Sequence, residues 1–120
     1  MTARVVSLVP SVTETLLAWG VTPVAVTRFC EQPALVHVGG TKDPDVAAIA
    51  ALRPDVVVVD TEENRREDAD ALAAAGLEVH ATSVRSVADV GPQLAALAAR
   101  LEVSPDPSLM GVVVADASGP

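Results

Sequence analysis

Along the chain, short Val-rich runs alternate with Ala- and Leu-rich stretches whose apolar residues recur at helical spacing, which predicts a succession of strands and helices. Residues 4–8 read as a buried strand that Pro10 ends. Ser11 and Glu14 then stand at capping-box spacing, Ser11 to accept from the Glu14 amide and Glu14 to reach back. A short helix to about Trp19 follows, with Gly20 where a left-handed C-terminal cap belongs. Residues 23–27 read as a second strand, and 35–38 as a third, shorter one closed by Gly39 and Gly40. Asp43 as N-cap, Pro44 at the first helical position and Asp45 beside the helix dipole predict the next helix. Its inward stripe is Val46, Ile49 and Leu52, and Pro54 stops it near Arg53.

The four valines at 56–59 have the pattern of a strand covered on both faces. Residues 62–75 read as a helix with a polar front, capped by Gly76, and 77–82 as a fifth strand. A last helix spans 86–101, with Leu94, Leu97 and Leu101 on its buried side and Gly91-Pro92 able to delay its start. Residues 104–108 read as a linker and 111–116 as one more strand. This order predicts an α/β fold, a mainly parallel sheet flanked by helices that resembles one Rossmann-like lobe. The expected division is a lobe over 1–102 and a tail over 103–120, with no second lobe in the sequence.

Composition narrows the function. Half of the 120 residues are apolar, drawn mostly from Val, Ala and Leu, which is enough buried surface to exclude a disordered chain. The net charge of −8, with seven Arg and one Lys, leaves no basic tract to neutralise phosphates and excludes nucleic acid as a partner. One cysteine, Cys30, makes no internal disulfide, and no Cys/His spacing points to zinc. The first residues lack a basic segment followed by an apolar one, there is no lipid-anchor cysteine, and no apolar run spans a membrane. As written, the chain is therefore expected in the cytoplasm.

In parallel sheets of this kind, ligands sit beyond the carboxyl ends of the strands, which selects loops 10–13, 28–31, 39–43 and 60–64. Candidate ligand-binding residues there are Ser11 and Thr13; Arg28, Phe29 and Cys30; Gly40, Thr41 and Lys42, the sole lysine; and Glu62 and Asn64. Each also reads as a cap, a turn or loop packing. No G-x-G-x-x-G or Walker loop follows the first strand, so a nucleotide site is not expected. Cys30 has no neighbouring histidine, His37 and His80 fall within strands, and Arg65-Arg66-Glu67-Asp68 reads as a solvated helix face. No nucleophile, base and orienting group come into register, so there are no catalytic residues and no metal site to name. The chain reads as a binder and not as an enzyme.

The segments RVVSLVPSVTETLLAWG, TPVAVTRFCEQP and HVGGTKDPDVAAIAALRPDVVVVDTEENRREDADALAAAGLEVHAT follow one another in a recognisable order. The chain thereby resembles the N-terminal lobe of the cobalamin and iron-siderophore class of ABC-transporter substrate-binding proteins, the helical-backbone metal receptors. The carriers are S-x-x-E after the first strand, GGTK-x-PD and ALRPDVVVV, within a match covering about residues 4–102. The resemblance implies two α/β lobes joined by a long helix, with a corrinoid, haem or ferric siderophore in the cleft and no covalently bound cofactor. It also implies an ABC permease as partner and, for members serving one, export. Thr41 stands where cobalamin receptors of this kind present an aromatic ring, and Ala47 where they carry a permease-docking glutamate. The alternative is an α/β module that binds a partner or itself, as a homodimer, without ligand.

Overall fold

The computed structural model describes residues 4–27, 35–40 and 44–102. Its elements are β1 (Val5–Ser7), α1 (Pro10–Ala18), β2 (Ala25–Val26), α2 (Val46–Ala51), β3 (Val56–Asp60), α3 (Arg66–Ala74), β4 (Val79–Thr82) and α4 (Val87–Arg100). The strands form one sheet in the order β2-β1-β3-β4, every pair parallel. The expected α/β fold with a parallel sheet flanked by helices is the observed one.

Alternation along the buried strands sorts the core into two layers. Val5, Val56 and Val58 point to the side where Val12 and Leu16 of α1 meet Leu97 and Ala98 of α4. Val6, Val57 and Val59 point to the other side, against Ile49 of α2 and Leu72 of α3. Because both faces of β3 are covered, its four valines are all buried, as an uninterrupted apolar strand should be.

Several boundaries differ from the sequence expectation, each for a local reason. Ser11 does not cap α1. Val9, held extended before a proline, is the N-cap residue, and Pro10 takes the first helical position, which its fixed φ suits. Asp43 lies outside the described residues. Asp45 is the N-cap of α2 and accepts from the Ala48 amide at 3.0 Å. A backbone bond from Asp45 to the Val38 carbonyl (2.8 Å) and a bridge between Gly39 and Pro44 delay the helix to Val46.

The third strand expected at 35–38 shrinks to one bridge, Val26 with His37. Val38 packs into the core, but Val36 and His37 are exposed and Gly39 turns to φ +91°, so the segment leaves the sheet after a single bridge. Helix α3 starts four residues later than expected because residues 60–64 close a turn of their own. Helix α4 starts at Val87 with Pro92 inside it, so Gly91-Pro92 delays nothing. Among the described residues, no helix is long and apolar enough to cross a membrane. The linker at 104–108 and the strand expected at 111–116 fall outside the described residues.

Candidate functional site

The chain leaves β1 towards β2 on one side and enters β3 and β4 on the other, so the connections after β1 and β3 diverge to opposite faces. A crevice at such a switch point is the ordinary ligand position of an open parallel sheet. Two concavities flank it. One, of about 220 Å3, lies between α1 and α4 and is bordered by Ser11, Thr15, Asp60, Thr82, Gln93 and a wall of Val and Leu. The other, of about 390 Å3, opens on the α3 side over Asp60, Thr61, Asn64, Arg65 and Arg66. Asp60, at the end of β3, borders both.

At the end of β1, Thr13 is fully buried, its hydroxyl 2.9 Å from the Ser7 Oγ and 3.2 Å from the Val9 carbonyl. It therefore packs beneath the rim, and the ligand contact expected of it would need that packing opened. Ser11 is exposed on the rim, and its carbonyl accepts from the Thr15 hydroxyl at 3.0 Å.

At the end of β3, Asp60 is 9% exposed and its carboxylate accepts from neutral donors. Its Oδ1 accepts from the Glu62 and Glu63 amides (2.8 and 3.3 Å), and its Oδ2 from the Thr82 hydroxyl (2.7 Å). A buried carboxylate is tolerable only with such compensation. Asn64, 7% exposed, takes the Asp60 amide on its Oδ1 (2.8 Å) and gives its Nδ2 to the Leu8 carbonyl (3.2 Å). Glu62 is exposed, and its carboxylate lies 3.5 Å from Arg85 at the start of the β4–α4 connection.

Gly40 is buried beside the pinned Gly39. Arg28, Phe29, Cys30, Thr41 and Lys42 lie outside the described residues. Of the candidates with described positions, Ser11, Glu62 and Asn64 gather around the switch point. Asp60 opens the loop 60–64 that the sequence selected but was not among the candidate residues singled out in it; Thr82 and Gln93 lay outside the selected loops. The polar residue ending a four-valine strand, with Asn four positions on, was the available signal. Within β4, two residues before Thr82, burial foremost and the positive charge of Arg100 second lower the pKa of His80 below 6.5. Among the described residues, no cluster of three His, Cys, Asp or Glu could hold a metal ion.

Residues 5–104 match the family model described as periplasmic binding protein, and the chain belongs to that family. It is 32% identical over 100 residues to a vitamin B12-binding protein of Salmonella choleraesuis (strain SC-B67), covering 78% of this chain and 38% of the relative. It superposes on a periplasmic heme-binding protein of Pseudomonas aeruginosa with TM-score 0.78 and 24% identity, over 97% of this chain and 43% of that one. A periplasmic vitamin B12-binding protein of Vibrio cholerae gives TM-score 0.75 and 21% identity, over 96% and 46%. The chain therefore spans less than half the length of these proteins. The expected class, the cobalamin and siderophore-type substrate-binding proteins, is the one found, and a binding protein in place of an enzyme agrees with it. The two solved structures are named as periplasmic, and the self-associating module gains no support from these matches.

Proposed function

We propose that this chain is the N-terminal lobe of a substrate-binding component for an ABC uptake system, and that its ligand is a large metal chelate: a corrinoid, haem or ferric siderophore. The lobe is residues 1–102, and it works in the periplasm, as the proteins it resembles do by name. The observation that carries the reading is the switch point itself. Exposed Ser11 and Glu62, with the ends of β1, β3 and β4, meet at one edge of a sheet whose likeness extends across one half of proteins that hold such ligands. The proposal carries over from the sequence, as further contacts, Arg28, Phe29 and Cys30, which follow β2 in the chain, and Gly40, Thr41 and Lys42, which follow the Val26–His37 bridge.

Concavities of about 220 and 390 Å3 lie below and at the low end of the about 300–1,000 Å3 of closed ligand sites, which bury ~70–90% of their ligand, so neither alone encloses a chelate as large as a macrocycle. The lobe supplies one wall. Losing about 4 kcal/mol of contact weakens binding roughly a thousandfold, so affinity from this chain alone is expected to be low. Permease docking falls to the α2 region, where Ala47 is exposed without a carboxylate and Asp45 is occupied as a helix cap.

The test is titration with cyanocobalamin, hemin and a ferric catecholate, followed by thermal stability and ligand absorbance. Stabilisation by one ligand class, rising with concentration up to about 1 mM, is the expected result. No stabilisation by any of the three overturns the proposal.

A further inference from the structure

The side chains at the carboxyl edge do more than line concavities; they join neighbouring elements. Asp60 and Asn64 are bonded reciprocally, the Asn64 amide to the Asp60 carbonyl (3.0 Å) and the Asp60 amide to Asn64 Oδ1 (2.8 Å). Asn64 Nδ2 reaches the Leu8 carbonyl at the end of β1 (3.2 Å). On the other side, Asp60 Oδ2 accepts from Thr82 at the end of β4 (2.7 Å), and the next residue, Ser83, gives its amide to Gln93 Oε1 on α4 (2.9 Å). A second strut runs from the Thr61 amide to the Thr82 carbonyl (3.0 Å). The result is a continuous belt from β1 through β3 and β4 to α4.

We infer that Asn64 is a positioning residue and not a ligand contact: with Asp60 and Thr82 it locks the β3–α3 turn to the ends of β1 and β4, so that the rim offered to the ligand is preformed. This deepens the proposed function and rests on that reading for the word ligand; the belt itself does not. Both ends of the Asn64 carboxamide are engaged within the protein, and its residue is almost wholly buried. A chelate touching it would have to break a bond that holds the rim. Glu62, by contrast, gives only its amide to the belt and leaves its carboxylate outside.

The belt is tested in the full chain with Asn64→Asp, Thr82→Val and the double variant, by amide hydrogen exchange. Asn64→Asp keeps the acceptor and removes the donor to Leu8. It should speed exchange at Asp60 and Glu62 by about tenfold and carry over to Ser83, while Val57 and Val58 keep their rates. The two substitutions should be non-additive, because each loosens the same unit. Thr82→Val preserves shape, so it carries the test if Asn64→Asp does not fold. Unchanged rates at Glu62 and Glu63 in Thr82→Val, or strictly additive effects confined to each loop, overturn the belt.

Positioning is separated from contact by hemin titration. Asn64→Asp should weaken hemin by about tenfold with an unchanged absorption spectrum of the bound form. A shifted spectrum makes Asn64 a contact and overturns the assignment. If the wild-type chain binds no hemin, the proposed function loses that ligand, and the exchange data alone decide the belt.

Discussion

The two sides of the sheet are built differently. From β1 across β3 to β4, strand pairing is long, with four registered pairs between β3 and β4, and side-chain bonds tie the strand ends together. Towards β2 the ladder has two registered pairs, and the neighbouring segment contributes one bridge held by backbone bonds, Val26 to Val36 and Val38 to Val26. The first side is a rim fixed by specific side chains. The second is a rim fixed by the turn at Gly39 and the cap at Asp45. Since backbone bonds are available to any sequence, the β3–β4 side should be the more sensitive to single polar substitutions.

The largest effect should come from neither rim. Leu72→Ala empties a fully buried position under β3 and should cost about 2–5 kcal/mol in urea unfolding, reported by the fluorescence of Trp19. A smaller loss would mean that α3 collapses onto the sheet. Next comes Asp60→Ala, which strands the Glu62 and Glu63 amides near the switch point, leaves the Thr82 hydroxyl only its longer bond to the Val59 carbonyl, and should cost about 2–3 kcal/mol. Its counterpart on the β2 side, Asp45→Ala, removes one exposed cap and should cost about 1 kcal/mol. Equal losses from these two would erase the contrast between the sides.

Two smaller effects sharpen it. Because the folded pKa of His80 lies below 6.5, the unfolded chain takes up its proton first as pH falls. The stability that neutral His80 contributes is present above pH 6.5 and is lost as pH falls from there towards the lowered value. Urea midpoints measured from about pH 7.5 to about pH 5 should therefore fall more steeply for the wild type than for His80→Gln. The smallest change is expected for Arg85→Ala. Its pairing with Glu62 at 3.5 Å is exposed on both sides, and such pairs contribute about 0–1 kcal/mol.

The same contrast governs what the sequence disclosed. The valine run of β3 and the leucine stripe of α4 were readable because burial writes itself directly into apolar spacing. The start of α1 was misplaced because Ser11 offers a cap while Val9-Pro10 already imposes one, and backbone restriction outweighs an optional side-chain bond. The start of α3 was misplaced because Asp60 and Asn64 bind each other, a pairing that competes with helix and leaves no periodic trace. At the site, the loops could be named from topology alone. Which of their residues face outward could not, since Thr13 and Asn64 turn inward to bonds that only the assembled strands provide.

The order β2-β1-β3-β4 also sets a timetable. Val5 registers with Val56 across an intervening stretch that includes β2 and α2, so the central ladder is a long-range one. Closing a loop of about 50 residues costs roughly 3–4 kcal/mol of chain entropy before any ladder bond returns it. During synthesis β1 can meet β2 early, but its stronger neighbour emerges only when the valine run has left the ribosome. Until then the first strand, buried on both faces in the finished sheet, waits beside a two-residue partner, and the folding rate of this chain should be set by that delayed encounter.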